Sequence, residues 1–271
     1  IVTELPQLRR VSDPTRGRLA EERAVTVWLS NAWNTERVMS LSDSVLEDAG
    51  GAALQWTFPQ AYYAAFAHVR AFLIASGQSE TKHGPIQKNF GKMVLAGEYP
   101  TAMSFAATGT KKSLSCHGLD SPGEAFSPLD PLDESDSGSV DRHIEGFLSS
   151  TRRSSLNQRK KNTTFRKSDG TPYKNFSEAH WKRLSDNQGP TALLCLLYRK
   201  RVKSNYRDID TFTAEGFDAT GVFRSVRRIV GSLAFTHEAF VAAAMGWDWF
   251  AKLATENAAG AACDPLQRRL E

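Results

Sequence analysis

The sequence predicts an all-α protein, an antiparallel helical bundle with a long polar insertion between its first and second halves. Three observations carry this. Apolar residues recur at spacings of three and four over several long segments. Those segments stop at Gly or Gly-Pro, the usual helix terminators. No segment alternates apolar and polar residues as a half-buried strand would. With 271 residues, 41% of them hydrophobic, the chain can bury a substantial core. Residues 1–271 are read as a single helical domain, with 106–170 as an insertion or mobile loop within it.

The first helix follows Asp13-Pro14 through Leu19, Val25, Trp28, Leu29, Ala32, Trp33 and Val38, and Gly50-Gly51 closes it. The second is expected to start at Thr57, because Thr57 and Gln60 have the spacing of a capping box. Phe58, Tyr62, Phe66, Val69 and Leu73 then repeat at helical spacing until Gly77. A shorter helix over 84–96 starts at Pro85 and ends by Gly97. Periodicity fades over 106–170, apart from a short helix around 140–149, and the remainder reads as loop. Glu178-Ala-His180-Trp181 opens another short helix, a further one starts after Gly189-Pro190, and the last runs unbroken over 220–254.

Charge is modest in total, +4 with a pI near 9.0, and uneven in distribution. Residues 120–145 hold eight acids against the single Arg142, and 151–174 hold eight Lys or Arg against the single Asp169. Such blocks read first as solvated segments and second as a nucleic-acid contact with an intramolecular competitor. Cys116, Cys195 and Cys263 are three in number and widely spaced, which supports neither a disulfide framework nor a structural zinc site. No apolar run approaches bilayer length, so no membrane association is expected and the cytosol is the default compartment. Gly-rich phosphate loops, HExxH, GxSxG and Rossmann fingerprints are missing from the sequence, and no cofactor is expected.

The richest stretch is 193–212, LLCLLYRKRVKSNYRDIDTF, an apolar helix that becomes cationic toward its end. Arg199, Lys203, Tyr206 and Asp210 follow steps of four, three and four and share one face, whereas Arg201 and Tyr206 stand about 140° apart on an ideal helix. Arg199 therefore partners Tyr206 if the helix continues, and Arg201 does so if it unwinds at Ser204-Asn205. Arg199, Arg201, Lys203 and Arg207, with Asn205, are read as a phosphate-binding surface, which Arg224 and Arg228 extend, a like-charged i,i+4 pair early in the last helix that an anion or an acid would relieve. Aromatic residues interleaved with these cations, Tyr198 and Tyr206 among them, suit single-stranded RNA. A cationic helix end that merely complements the macrodipole is the plainer alternative.

Three segments taken in order resemble HEPN domains, the helical modules of many prokaryotic toxins and defence ribonucleases. They are QAYYAAFAHVRAFLIASG (60–77), KHGPIQKNFGKMV (82–94) and LLYRKRVKSNYRDIDTF (196–212). The resemblance implies a HEPN-type bundle and a metal-independent cut of RNA in which the ribose 2′-OH attacks the adjacent phosphate. It further implies that an Arg, here Arg199 or Arg201, neutralises charge on the phosphate, that a His moves the proton, and that two copies meet to form one cleft. The position of that His holds Tyr206. Tyr, with an ordinary pKa of about 10, is a poor general base at neutral pH but can bind phosphate or stack on a base. His68 and Arg70 on the second helix are the expected substitutes, while His237 lies in an apolar stripe and is expected to be structural.

The leading expectation is thus a HEPN-like component of a bacterial toxin or antiviral defence system that binds RNA or nucleotide, with endoribonuclease activity open. The competing one is a non-catalytic module that homodimerises or docks a partner effector or antitoxin protein. A third has Tyr206 as a site of nucleotidyl modification.

Overall fold

A computed structural model describes residues 18–49, 51–120, 133–162, 165–166, 169–171, 173, 175–206 and 218–258, with side chains at 18–20, 42–53, 205–206 and 258 excepted. Among the described residues the chain is mainly helical, with eight α-helices and one small antiparallel sheet, so it is not purely all-α. Contacts divide it into two compact units, His83–Leu196 and the described parts of Gln7–Lys82 with Leu197–Glu271.

Among its described residues, the second of these units has helices as its regular elements. Helices α1 (Arg18–Ala49) and α2 (Gly51–Ala75) pack along each other, and α2 also packs on α7 (Ala219–Met245). Val25, Leu29, Ala32 and Trp33 of α1 are buried at the helical spacing read from the sequence. Leu54, Phe58, Ala61 and Ala64 of α2 close on Met39 of α1 and on Phe223, Val226 and Val230 of α7. Each Leu, Phe, Met or Val among them contributes roughly 1.5–3 kcal/mol by leaving water.

Two boundaries in this unit differ from expectation. Helix α2 starts six residues before Thr57, which is fully buried inside it, and Pro59 also lies within the helix. The capping-box reading fails because the preceding Ala, Leu and Gln favour helix and Leu54 gains burial there. The end of α2 is as expected: Gly77 has φ +75°, and Gln78 N–H donates to the Leu73 carbonyl at 2.8 Å, a Schellman stop. The last helix is two. Gly246, with φ +104°, separates α7 from α8 (Trp247–Ala258). Helical periodicity continues across that break in the sequence, and only the glycine's left-handed backbone marks it. At its other end α7 is capped by Asp218, which accepts from Gly221 N–H at 2.8 Å.

The other unit begins with α3 (His83–Leu95), within a residue of the expected bounds. Strands β1 (Ala106–Gly109), β2 (Leu114–His117) and β3 (Thr191–Ala192) form a sheet in the order β2-β1-β3. β1 pairs antiparallel with β2, Ala106 opposite His117, and with β3, Ala106 opposite Ala192. These strands were not expected; at two to four residues they are too short to display an alternating pattern. The stretch expected to be mostly loop holds β1, β2 and the 26-residue helix α4 (Ser137–Asn162). Low hydrophobicity hid that helix, which buries only a narrow stripe, Leu148 against Ala107 and Leu196, and Leu156 against Trp181 and Leu184.

Helix α5 (Glu178–Gln188) starts where the sequence places it. Ser177 caps it, accepting from His180 N–H, while the His180 ring accepts from Ser177 N–H.

One residue of the basic block is not solvated at all. Arg152 on α4 is 1% exposed and donates to the carbonyls of Gly109 (2.8 Å), Ala107 (3.1 Å) and Gly189 (2.9 Å) and to the hydroxyls of Thr191 and Ser185. It serves as a planar five-donor staple between α4, α5 and the sheet. Burial pushes its pKa down to about 10, which leaves it charged at neutral pH.

Candidate functional site

Helix α6 (Leu193–Tyr206) carries the stretch singled out by sequence, and its backbone stays helical through Ser204 to Tyr206. The phase that puts Arg199 and Tyr206 on one face is therefore the one the backbone follows. The side chains of Asn205 and Tyr206, and all of Arg207, lie outside the described residues. Arg199 and Lys203 are half-buried.

Arg201 is the best-defined member of the site. Its guanidinium carbon lies 4.7 Å from the ring centroid of Tyr63, 5.6 Å from that of Tyr62 and 5.7 Å from that of Tyr198. Tyr62 and Tyr198 meet edge to face with centroids 5.3 Å apart, so the rings support one another as well as the cation. Arg201 Nε is buried without a hydrogen-bond partner, and Arg201 has no ion pair among the described residues. One turn of α6 places Tyr198 and Arg201 on the same face, and adjacent Tyr62 and Tyr63 of α2 bracket the cation from the facing helix.

Arg70 repeats the theme farther along α2. It is 7% exposed, its guanidinium sits 5.8 Å from the Trp28 ring, and Nε and Nη1 have no hydrogen-bond partner. Burial lowers its pKa, and the charge of Glu80 opposes that shift. Tyr63 and Arg70 are seven residues apart, two turns and about 10 Å along one face of α2. Trp56, seven residues before Tyr63, is 61% exposed and Tyr63 is 43% exposed, so the same face offers aromatic surface.

His68 is not placed to substitute for the motif histidine. It is fully buried, with Nε2 2.7 Å from Glu36 Oε1, and a surface-bound RNA does not reach it in this arrangement. His237 is buried as expected, donating from Nδ1 to the Leu233 carbonyl at 2.6 Å beside Phe72 and Phe240. Burial pushes its pKa down to about 3, so it stays neutral. These two are the described histidines of the helical unit. Arg224 and Arg228 are exposed on α7 and have no ion pair among the described residues. Asp218, the nearest described acid before them in the chain, caps α7.

Sequence reasoning missed Tyr62 and Tyr63 as partners of Arg201, although the Tyr-Tyr pair in QAYYAAF was visible. It also missed Glu36 and Glu238. Their signal was a carboxylate on an apolar stripe, one helical step past Ala32-Trp33 and past Ala234 respectively.

In the other unit, a groove of about 450 Å³ is lined by Thr110, Ser113, Glu178, Lys182 and Asp186 among others. Its charged groups are already engaged: Glu178 accepts from Thr110 Oγ1 at 2.7 Å, and Lys182 pairs with Asp186 at 2.9 Å. Cys116 and Cys195 are free thiols whose pKa values burial raises, and Cys263 lies outside the described residues.

No helix among the described residues is long and apolar enough to cross a membrane. No family model, curated protein or solved structure gives a significant match to this chain.

Proposed function

We propose that the chain is a HEPN-like module of a toxin or antiviral defence system that binds RNA or a nucleotide at the α6–α2 face. The observation that carries this reading is Arg201, a guanidinium held by three tyrosine rings with no carboxylate partner among the described residues. A cation so placed keeps N–H donors for an external phosphate, and the exposed ring of Tyr63 offers a surface on which a base can stack. Arg199 and Lys203 add charge on another face of the same helix, and Arg70 does so two turns along α2 from Tyr63.

Binding is favoured over cleavage. Transfer of the 2′-OH proton needs a group that titrates near neutrality. The described histidines of this unit, His68 and His237, are both buried. Fluorescence anisotropy with a labelled single-stranded RNA tests the proposal. Arg201→Ala is expected to weaken binding at least tenfold, and the wild-type affinity to fall with salt. Unchanged binding by Arg201→Ala rejects it.

A second reading, a dimerisation or partner-docking module, is favoured by the exposed aromatic pair Trp56 and Tyr63 on one face of α2. Light scattering on Trp56→Glu distinguishes it, since a dimer built on that face becomes monomeric.

A further inference from the structure

Glu36 on α1, His68 on α2 and Glu238 on α7 bring one ligand atom each to positions all within 4.8 Å of one another. The three are 5%, 0% and 5% exposed. Helix spacing explains the convergence: Glu36 continues the buried stripe of Ala32-Trp33, and Glu238 lies one turn after Ala234. Carboxylates this deep in a helical core are uncommon, and two beside one imidazole form a donor set of two oxygens and a nitrogen.

We propose that Glu36, His68 and Glu238 form a buried site for a divalent first-row transition metal that ties α1, α2 and α7 together. Metal–ligand bonds of about 2.1 Å place neighbouring donors about 3 to 4 Å apart, within a small side-chain adjustment of the separations here. Imidazole with carboxylates is a set that suits Zn²⁺, Mn²⁺ and Fe²⁺.

Two further observations point to a bound ion. His68 Nδ1 is buried and has no hydrogen-bond partner, while Nε2 is 2.7 Å from Glu36 Oε1. Whichever nitrogen carries the proton, one ring nitrogen is left unsatisfied, so the described residues do not complete the hydrogen bonding of this imidazole. In addition, Trp33 Nε1 donates to Glu238 Oε1 at 2.8 Å. That is how outer groups orient a ligating carboxylate. With three protein ligands, a solvent molecule or a bidentate carboxylate completes the shell. Because the site is enclosed, the metal enters as the unit folds and adds to its stability. None of this depends on RNA binding.

The test uses the full chain without an affinity tag, stripped of metal and titrated with Co²⁺, followed by Zn²⁺. One equivalent of Co²⁺ should bind, produce visible d–d absorption, raise the Tm and be displaced by Zn²⁺. Glu238→Gln and His68→Ala, each checked for folding by circular dichroism, should lose that spectrum, and Trp33→Phe should weaken Co²⁺ affinity about tenfold. If those variants do not fold, the assigned His68 imidazole resonances of the Co²⁺-loaded wild type provide the readout, and they should show paramagnetic shifts. Wild-type protein that takes up no Co²⁺ overturns the proposal. So does a Co²⁺ spectrum that survives in folded Glu238→Gln and His68→Ala, or an unshifted His68 signal.

Discussion

The guanidinium of Arg201 lies 4.7 Å from the ring centroid of Tyr63, an exposed tyrosine on the facing helix α2. The contact is electrostatic and depends on the ring rather than on the hydroxyl. Tyr63→Phe is therefore expected to keep RNA affinity within about twofold. Tyr63→Ala removes both the cation's platform and a stacking surface worth about 1–3 kcal/mol per base. Its dissociation constant should rise about tenfold or more by fluorescence anisotropy.

Arg152 organises the other unit through bonds to three backbone carbonyls and two hydroxyls. Arg152→Met removes all five bonds. The Gly109 carbonyl keeps the Ser185 hydroxyl and the Thr191 hydroxyl keeps the Gln188 amide, but each buried acceptor left unpaired costs about 1–3 kcal/mol. The expected loss is at least about 3 kcal/mol by urea denaturation. Arg152→Lys should recover only part of it, since an ammonium cannot span the same fork of acceptors.

Gly91 on α3 packs against the backbone just before β3. A Cβ there would meet the Pro190 carbonyl oxygen at 2.8 Å and its Cβ at 3.0 Å. Both neighbours are stiff, so Gly91→Ala should destabilise by about 1–3 kcal/mol despite its better helix propensity. A thermal melt lower than wild type checks this.

Tyr99 is buried against Phe90, with ring centroids 4.7 Å apart. Burial, with a smaller contribution from the charge of Glu98, raises its pKa well above the ordinary value of 10.0. The folded pKa is the higher one, so this group's contribution is intact below pH 10 and is lost as the pH rises beyond it. Stability should fall by about 1.4 kcal/mol per pH unit in that alkaline range. Tyr99→Phe should flatten the slope in denaturation curves between pH 9 and 11.

Wherever an element buries a full apolar face, the sequence was enough to find it. The stripe Val25–Leu29–Trp33 and the α2 run through Phe66 and Leu73 are such cases, because a 3.6-residue period survives in one dimension. Local caps were legible for a similar reason: Ser177 before α5 and Gly77 after α2 act through neighbours in the chain. Helix α4 was only partly legible, since its buried stripe is thin and its surface crowded with charge. Strands β1 to β3 were not, because their pairing joins residues such as Ala106 and Ala192 that are far apart in sequence.

At the candidate site the sequence by itself determined a cationic α6, with Arg199, Arg201 and Lys203 on a helix end. Only the tertiary structure decided that Arg201 is the arginine held among Tyr62, Tyr63 and Tyr198, that His68 turns inward to Glu36, and that Glu238 joins them. The physical reason is the same in each instance. Helical period sets which face a residue occupies, whereas its chemical partner comes from another helix whose approach is set by packing of the whole core.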